Sequence, residues 1–339
     1  MVRKNIKIIQ LNKNNLIKKN RYLSALWFFL LSIITPLDKK FDVIVGNSII
    51  GGISGVFVKL LTRKPLVSIV YDIDFVRKEV KAYGFFGRFI RTIVLQIIFH
   101  SSDKLMVMSR FTKKEILQMS SLSENRISVV EAGFIELKKK DLEKNMKVYK
   151  TLKANKKYKI ILLVSELHPK KGLEYAIEAM TKIIKKFRDL QFYIVGSDFI
   201  KNYGDYIKNL VKEKKLNKNI KFLGRIENID LWPYYKICDL YLAPSIRSDC
   251  FGMPIVEASA FGKPIVATTL FEENGVIINN KTGLVIPPKD SRAMEDAVIK
   301  LLENKTLRKK LGENARIFSK NFTWTKSAKK FENVIKNLI

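Results

Sequence analysis

Short runs of consecutive apolar residues alternate along the whole chain with longer stretches whose apolar positions recur at helical spacing. The runs are Ile6–Ile9, Val43–Val45, Leu66–Val70, Lys104–Met108, Ile160–Val164, Phe192–Val195, Ile220–Leu223, Leu240–Ala243 and Ile265–Ala267. Several stop at a small or turn-forming residue, such as Gly46, Ser109, Ser165, Gly196, Gly224 or Ser245. A strand with one wet face alternates apolar and polar residues, whereas a strand covered on both faces is apolar throughout. The pattern therefore predicts parallel strands separated by helices, an α/β architecture. Nine such runs fit two doubly wound domains better than one barrel. Ligands of open parallel sheets bind beyond the carboxyl ends of the strands. Chemistry is thus expected in the loops after Val45, Val70, Val164, Val195, Leu223 and Ala243, converging in a cleft between the domains.

The 339 residues agree with about two domains of roughly 100–200 residues each. Lys138-Lys139-Lys140 opens a lysine-dense, glycine-free segment that runs to Lys159, and the next strand begins a fresh α/β unit. The boundary is placed near residue 150.

Charge changes the list of partners. Lys and Arg number 63 against 32 Asp and Glu, a net charge of +31. The excess is even: residues 1–150 hold 28 basic and 12 acidic side chains, and residues 151–339 hold 35 and 20. No single stripe and no recognised reading module accompany it, so nucleic acid is not an expected partner. A solvated lysine surface explains the charge, and attraction to an anionic membrane face is the other reading. Tyr22–Leu37 is almost wholly apolar but shorter than the roughly 20 residues that span a bilayer, and no small-residue cleavage pattern marks it as a signal peptide. Phe85–Phe99 mixes apolar residues with Arg88 and Arg91, which suits either core packing or an interfacial helix. Two cysteines, Cys238 and Cys250, exclude a disulfide framework and suit a reducing compartment. Two histidines, His100 and His168, leave little for a histidine-based metal site or triad.

The richest stretch is PSIRSDCFGMPIVEASAFGKP, Pro244–Pro264. Gly252 allows close backbone approach to a ligand, and Pro254 suits the first turn of a helix starting there. The N–H groups around Phe251, Gly252 and Met253, with the helix dipole, form a site for phosphate or sugar hydroxyls. Glu257 can accept two hydrogen bonds from a vicinal diol such as a ribose. The plainer reading makes Asp249 a cap and Glu257 a solvated helix residue. In VSELHPKKGL, Val164–Leu173, a strand and short loop lead through Lys171-Gly172 into a helix. Lys171 there either reaches a diphosphate as a point charge or is one more surface lysine.

Taken together in order, these segments resemble the large retaining glycosyltransferase family 4, group 1 type. The match runs through the strand–loop–KG–helix at Ile160–Met180, FLG at Phe222–Gly224 and YYKICDLYLAPS at Tyr234–Ser245. It continues through FGMPIVEASAFGKPIVAT at Phe251–Thr268, KTGLVIPPKD at Lys281–Asp290 and FTW at Phe322–Trp324. FDVIVGN, VMSRFTKKEIL and EAGF in the first half match more weakly. The resemblance implies a GT-B fold, two Rossmann-like parallel-sheet domains facing across a cleft. Residues 1–150 would be the acceptor side, 151–321 the nucleotide-sugar domain, and 322–339 a C-terminal helix packing back on the first domain.

The resemblance also implies roles. Lys171 would neutralise the donor diphosphate and Glu257 would bind the ribose. Asp249, with the backbone of Phe251, Gly252 and Met253, would hold the transferred sugar. Gly224, Arg225 and Ile226 would lie against the base, and Tyr71 and Asp72 would face the acceptor. The implied enzyme is a hexosyltransferase-like, metal-independent transferase with no cofactor. Its UDP- or GDP-sugar is a substrate, and its acceptor is a glycan or lipid-linked molecule. The expected location is the cytoplasm, peripheral on the inner face of the membrane.

The chain departs from the family pattern in four places. Glu166 stands where an arginine is usual, Phe271-Glu272-Glu273 replaces a Gly-Gly, and Tyr71-Asp72 replaces a His-Asp turn. No glycine precedes Gly46, so the family's first strand and glycine-rich loop are expected to be missing. These departures keep open a degenerate, non-catalytic sugar-nucleotide or glycan-binding subunit, and behind it a sugar-nucleotide epimerase. Two decoys carry less. Asp72-Ile73-Asp74 is a D-x-D of the metal-holding kind. Gly51-Gly52-Ile53-Ser54-Gly55 lacks the first turn of a dinucleotide loop. His100 closes an apolar helix as a C-terminal cation, and His168 reads as a solvated loop histidine, with hydrogen-bond donation to the expected diphosphate as the other reading.

Overall fold

The computed structural model describes residues 21–37, 39–71, 73, 84–134, 139–154, 158–200, 202–247 and 251–339. The expected strand Ile6–Ile9, and the site candidates Asp72 and Asp249, lie outside the described residues, as do Asp74 and Cys250. The chain divides into two compact units. One comprises Met1–Val107, Lys113–Val129 and Phe331–Ile339; the other comprises Met108–Thr112 and Val130–Lys330. The lysine-dense segment after Lys138 therefore falls within the second unit.

The first part of the chain runs α1 (Arg21–Ile34), β1 (Ile44–Asn47), α2 (Ser48–Thr62), β2 (Leu66–Val70), α3 (Gly84–Ser101), β3 (Lys104–Val107), α4 (Arg110–Met119) and β4 (Ile127–Val129). Its four strands form a parallel sheet in the order β1-β2-β3-β4. Both segments that suggested a membrane are helices here. α1 packs on α2 through an edge-on Phe29–Phe57 pair at 5.8 Å and hydroxyls of Ser32 and Ser54 that are 2.7 Å apart. α3 buries Leu95, Ile98 and Phe99 but turns Phe86, Phe89, Ile90, Ile93 and Ile97 outward. Among the described residues no helix is long and apolar enough to cross a membrane. The Gly51–Gly55 segment lies inside α2, where a β carbon on Gly55 would come 2.6 Å from Leu66. Its glycines therefore serve close helix–strand packing.

The rest of the chain runs α5 (Lys139–Ala154), β5 (Ile160–Val164), α6 (Leu173–Lys186), β6 (Gln191–Val195), α7 (Tyr203–Glu213), β7 (Ile220–Gly224), α8 (Trp232–Ile237), β8 (Leu240–Ala243), α9 (Met253–Ala260), β9 (Ile265–Thr268), α10 (Thr269–Glu273), β10 (Gly283–Ile286), α11 (Ser291–Glu303), α12 (Lys305–Ser319) and α13 (Trp324–Lys336). The six strands are parallel in the order β10-β9-β8-β5-β6-β7. The continuous apolar runs have a direct cause. Ile161 and Leu163 of β5 enter one hydrophobic cluster, while Ile160 and Leu162 enter a second on the opposite face. Leu240 and Leu242 of β8 divide from Tyr241 and Ala243 in the same way. α6 covers the first face with Leu173, Ala176, Ile177, Met180 and Ile183, a helical-period stripe.

Two strands were absent from the reading of apolar runs. β4 is three residues long with Ser128 at its centre. β10 opens on a glycine and runs into Pro287-Pro288, so its composition reads as a turn. The sheet order matters more for function. Strands β5, β6 and β7 grow outward in one direction, and the chain then returns to place β8 on the other side of β5. The chain consequently leaves β5 for α6 on one face of the sheet and β8 for α9 on the other, and such a switch point leaves a crevice beyond the strand ends.

Candidate active site

The turn after β5 brings Lys171 to that crevice. His168 accepts a hydrogen bond at Nδ1 from the Lys170 N–H at 3.0 Å, and its carbonyl accepts from the Lys171 N–H at 2.9 Å. This closes a single 3-10 turn, Pro169–Lys171, which ends at Gly172 with φ of +67°. A β carbon on Gly172 would lie 2.2 Å from the Pro244 carbonyl oxygen. Glycine is thus needed twice, for the left-handed backbone and for the approach of the loop after β8. That loop is tied to the turn by the Ile246 N–H, which donates to the Lys170 carbonyl at 2.8 Å. Lys171 is left 8% exposed.

The loop after β8 leads into α9 through Gly252, whose φ is +94°. The buried ring of Phe271 lies 2.9 Å from where a β carbon on Gly252 would sit, so this backbone is pressed against an aromatic wall. Phe271 belongs to the segment that replaces the family's Gly-Gly. Pro254 occupies the first turn of α9, as expected, and offers no N–H. The Met253 N–H has no helical acceptor and, with the helix dipole, favours an anion. Lys171, Phe251, Gly252, Met253, Arg225 and Ile226 all line one cavity of about 630 Å³, together with Glu166 and Ser197. Arg225 is largely exposed and pairs with Glu227 at 3.2 Å.

Glu257 lies one turn into α9, and its carboxylate is not among the cavity walls. Its Oε2 accepts a hydrogen bond from the Tyr235 hydroxyl at 2.8 Å. Tyr235 is wholly buried and stacked on Phe261 at 5.8 Å. Burial holds the Glu257 carboxyl above its ordinary range, and the Tyr235 bond opposes that rise. Burial, then the adjacent Glu257 charge, pushes the Tyr235 phenol well above its own. A carboxylate has about four acceptor positions on two oxygens. Tyr235 uses one of them and orients the group, leaving acceptor capacity for a diol.

Residues 146–318, half of the chain, match the sequence profile of the glycosyl transferases group 1. The chain belongs to this family. An uncharacterized glycosyltransferase of Methanocaldococcus jannaschii is 26% identical over 300 residues, which cover 86% of this chain and 73% of the relative. A phosphatidyl-myo-inositol mannosyltransferase of Mycobacterium leprae is 29% identical over 142 residues, 42% of this chain and 36% of that protein. The chain thus spans only about a third of that relative. The crystal structure of Anabaena HepE in complex with UDP superposes with a TM-score of 0.76 at 19% identity, covering 91% of this chain and 82% of that one. Its likeness, with the two parallel sheets, makes the fold GT-B.

Of the residues that sequence reasoning selected in this group 1 glycosyltransferase, Lys171, Arg225, Ile226, Phe251, Gly252 and Met253 share the cavity. Gly224 adjoins it with a left-handed φ of +70°, and its carbonyl accepts from the Gly196 N–H at 2.8 Å. Glu257 is not among the cavity's lining residues. Tyr71 belongs to the first unit, 38% exposed. His168 serves as the cap of the Lys171 turn, and His100 Nδ1 lies 2.9 Å from the Gln96 carbonyl at the end of α3. Tyr235 was missed. It sits 22 positions before Glu257 inside an aromatic-rich helix, and no local pattern distinguishes it from a core tyrosine.

Proposed function

We propose that the chain transfers a sugar from a nucleotide-sugar to a glycan or lipid-linked acceptor with retention of anomeric configuration and without a metal ion. The observation that carries this reading is the meeting of Lys171 with the N-terminus of α9 in one cavity. A nucleoside diphosphate leaving group gains negative charge as the glycosidic bond breaks. An ammonium group and an N-terminal helix dipole, fixed in one cavity, stabilise that charge without reorganising. Glu257, oriented by Tyr235, grips the ribose from the first turns of α9. Arg225 and Ile226 flank the base. HepE, with UDP in its complex, and the mycobacterial mannosyltransferase support the donor class.

The acceptor side is read as membrane-facing. The helices of the first unit expose large apolar residues, among them Trp27, Leu30, Ile34, Leu60 and Leu61, in a basic chain. Peripheral attachment to an anionic leaflet on the cytoplasmic side fits both features.

One observation favours a second reading, a non-catalytic donor-binding subunit. Glu166 places a carboxylate in the cavity wall where the family has a cation. The decisive test is calorimetry with UDP and GDP, paired with product analysis by NMR against the corresponding nucleotide-sugars. Tight nucleotide binding with turnover, and loss of both in Lys171→Ala, supports the enzyme. Binding without turnover under any acceptor supports the subunit. An unchanged dissociation constant in Lys171→Ala removes the proposed site.

A further inference from the structure

A second cavity, of about 380 Å³, opens in the first unit. It lies at the carboxyl end of β2 and beside the first turn of α2, where open parallel sheets bind ligands. Ile49, Ile50, Ile69, Val70, Leu95 and Ile98 furnish its apolar walls. The only hydroxyls among its described lining residues are those of Ser48 and Tyr71, and none of them is charged. These described walls offer a sugar few partners. An alkyl chain would find the apolar lining typical of a small-molecule pocket.

The surroundings select the head group. Arg88 and Arg91 are seven and four positions before Leu95 on α3, which places them on the same helix face as this cavity wall. Residues 21–107 carry twelve Lys or Arg against six Asp or Glu. Ile50 at the rim is 45% exposed, and α3 turns Ile93 and Ile97 outward.

We propose that this cavity receives the hydrocarbon chain of an anionic lipid, with the head group held on the Arg88–Arg91 side of α3. Its role as the acceptor site rests on the proposed glycosyl transfer, whereas chain binding stands by itself.

The test is calorimetry of the full chain with octyl, decyl and dodecyl phosphate, each below its micelle-forming concentration. Burial of about 0.8 kcal/mol per methylene corresponds to roughly a fifteenfold fall in Kd per two-carbon step. Ile50→Trp, at a half-exposed rim position, is expected to flatten the series by at least about tenfold at dodecyl phosphate while circular dichroism and UDP or GDP binding stay unchanged. Ile93→Ser, on the outward face of α3, is expected to leave the series intact. Chain-length independence overturns the proposal, and so does equal loss in the two variants, which would signal general surface adsorption. A chain that binds nucleotide but shows no chain-length dependence loses this proposal alone. One that binds alkyl phosphate but no nucleotide loses the glycosyl-transfer reading and keeps the lipid cavity.

Discussion

Replacing Gly172 with alanine tests the geometry that brings Lys171 to α9. An alanine at φ of +67° costs about 1–2 kcal/mol in the left-handed region. Its β carbon would also stand 2.2 Å from the Pro244 carbonyl and 3.0 Å from Ile246. Both contacts are too short, so the loop after β8 must retreat by the better part of an ångström. That retreat breaks the Ile246-to-Lys170 backbone bond of 2.8 Å, worth about 0.5–1.5 kcal/mol net. The sum is roughly 1.5–3.5 kcal/mol of destabilisation, or a melting temperature lower by about 3–14 °C for a unit of this size. Function should suffer more than stability. A displacement of about 1 Å between positioned groups costs on the order of a hundredfold, so the donor affinity or turnover of the folded variant should fall by that order. Thermal unfolding monitored by circular dichroism, with nucleotide calorimetry at a temperature where the variant is folded, measures both quantities. A variant with unchanged melting temperature and unchanged Kd would refute the claim that the Lys-Gly pair is dictated by packing against Pro244.

Lys171→Ala should lower kcat by about 10²–10³-fold, the usual cost of deleting a group that stabilises developing charge, with a cooperative unfolding transition retained in urea. Tyr235→Phe removes the hydrogen bond that opposes the rise in the Glu257 pKa. The acidic limb of the donor-affinity profile should therefore move to higher pH, read by calorimetry across a pH series, and stability should fall by about 1.5–3 kcal/mol where Glu257 is ionised. Glu257→Gln bears on the same group with the opposite sign. Because the folded pKa is raised, stability from this carboxyl is present below its unfolded pKa and is lost as pH rises through the folded one. The amide variant should escape that loss, so its melting temperature relative to the parent should rise between acid and neutral pH while donor binding weakens. Liposomes containing anionic lipid should co-float the chain at low salt and release it at high salt, and Ile93→Glu with Ile97→Glu should reduce flotation; flotation equal to the parent would remove α3 from the membrane surface.

Much of the fold was legible because its signals are local. A strand buried on both faces requires apolar residues in succession, and the division of Ile160–Leu163 between two hydrophobic clusters shows that requirement at work. Likewise Gly172 and Gly252 declared turns that only glycine adopts readily, next to residues able to meet a phosphate. β4 and β10 escaped because each is short and interrupted by serine, glycine or proline, so nearby strands rather than their own composition hold them.

The amino-acid sequence by itself determined the alternation of elements, the residues that face inward and the turn at which Lys171 stands. It did so because period and backbone preference are properties of a few neighbouring residues. Only the tertiary structure decided that β8 returns beside β5, that Phe271 forms the wall behind Gly252 and that Tyr235 orients Glu257. These depend on strand order and side-chain packing between segments far apart in the chain, where many pairings satisfy the same local pattern and the packed whole selects one.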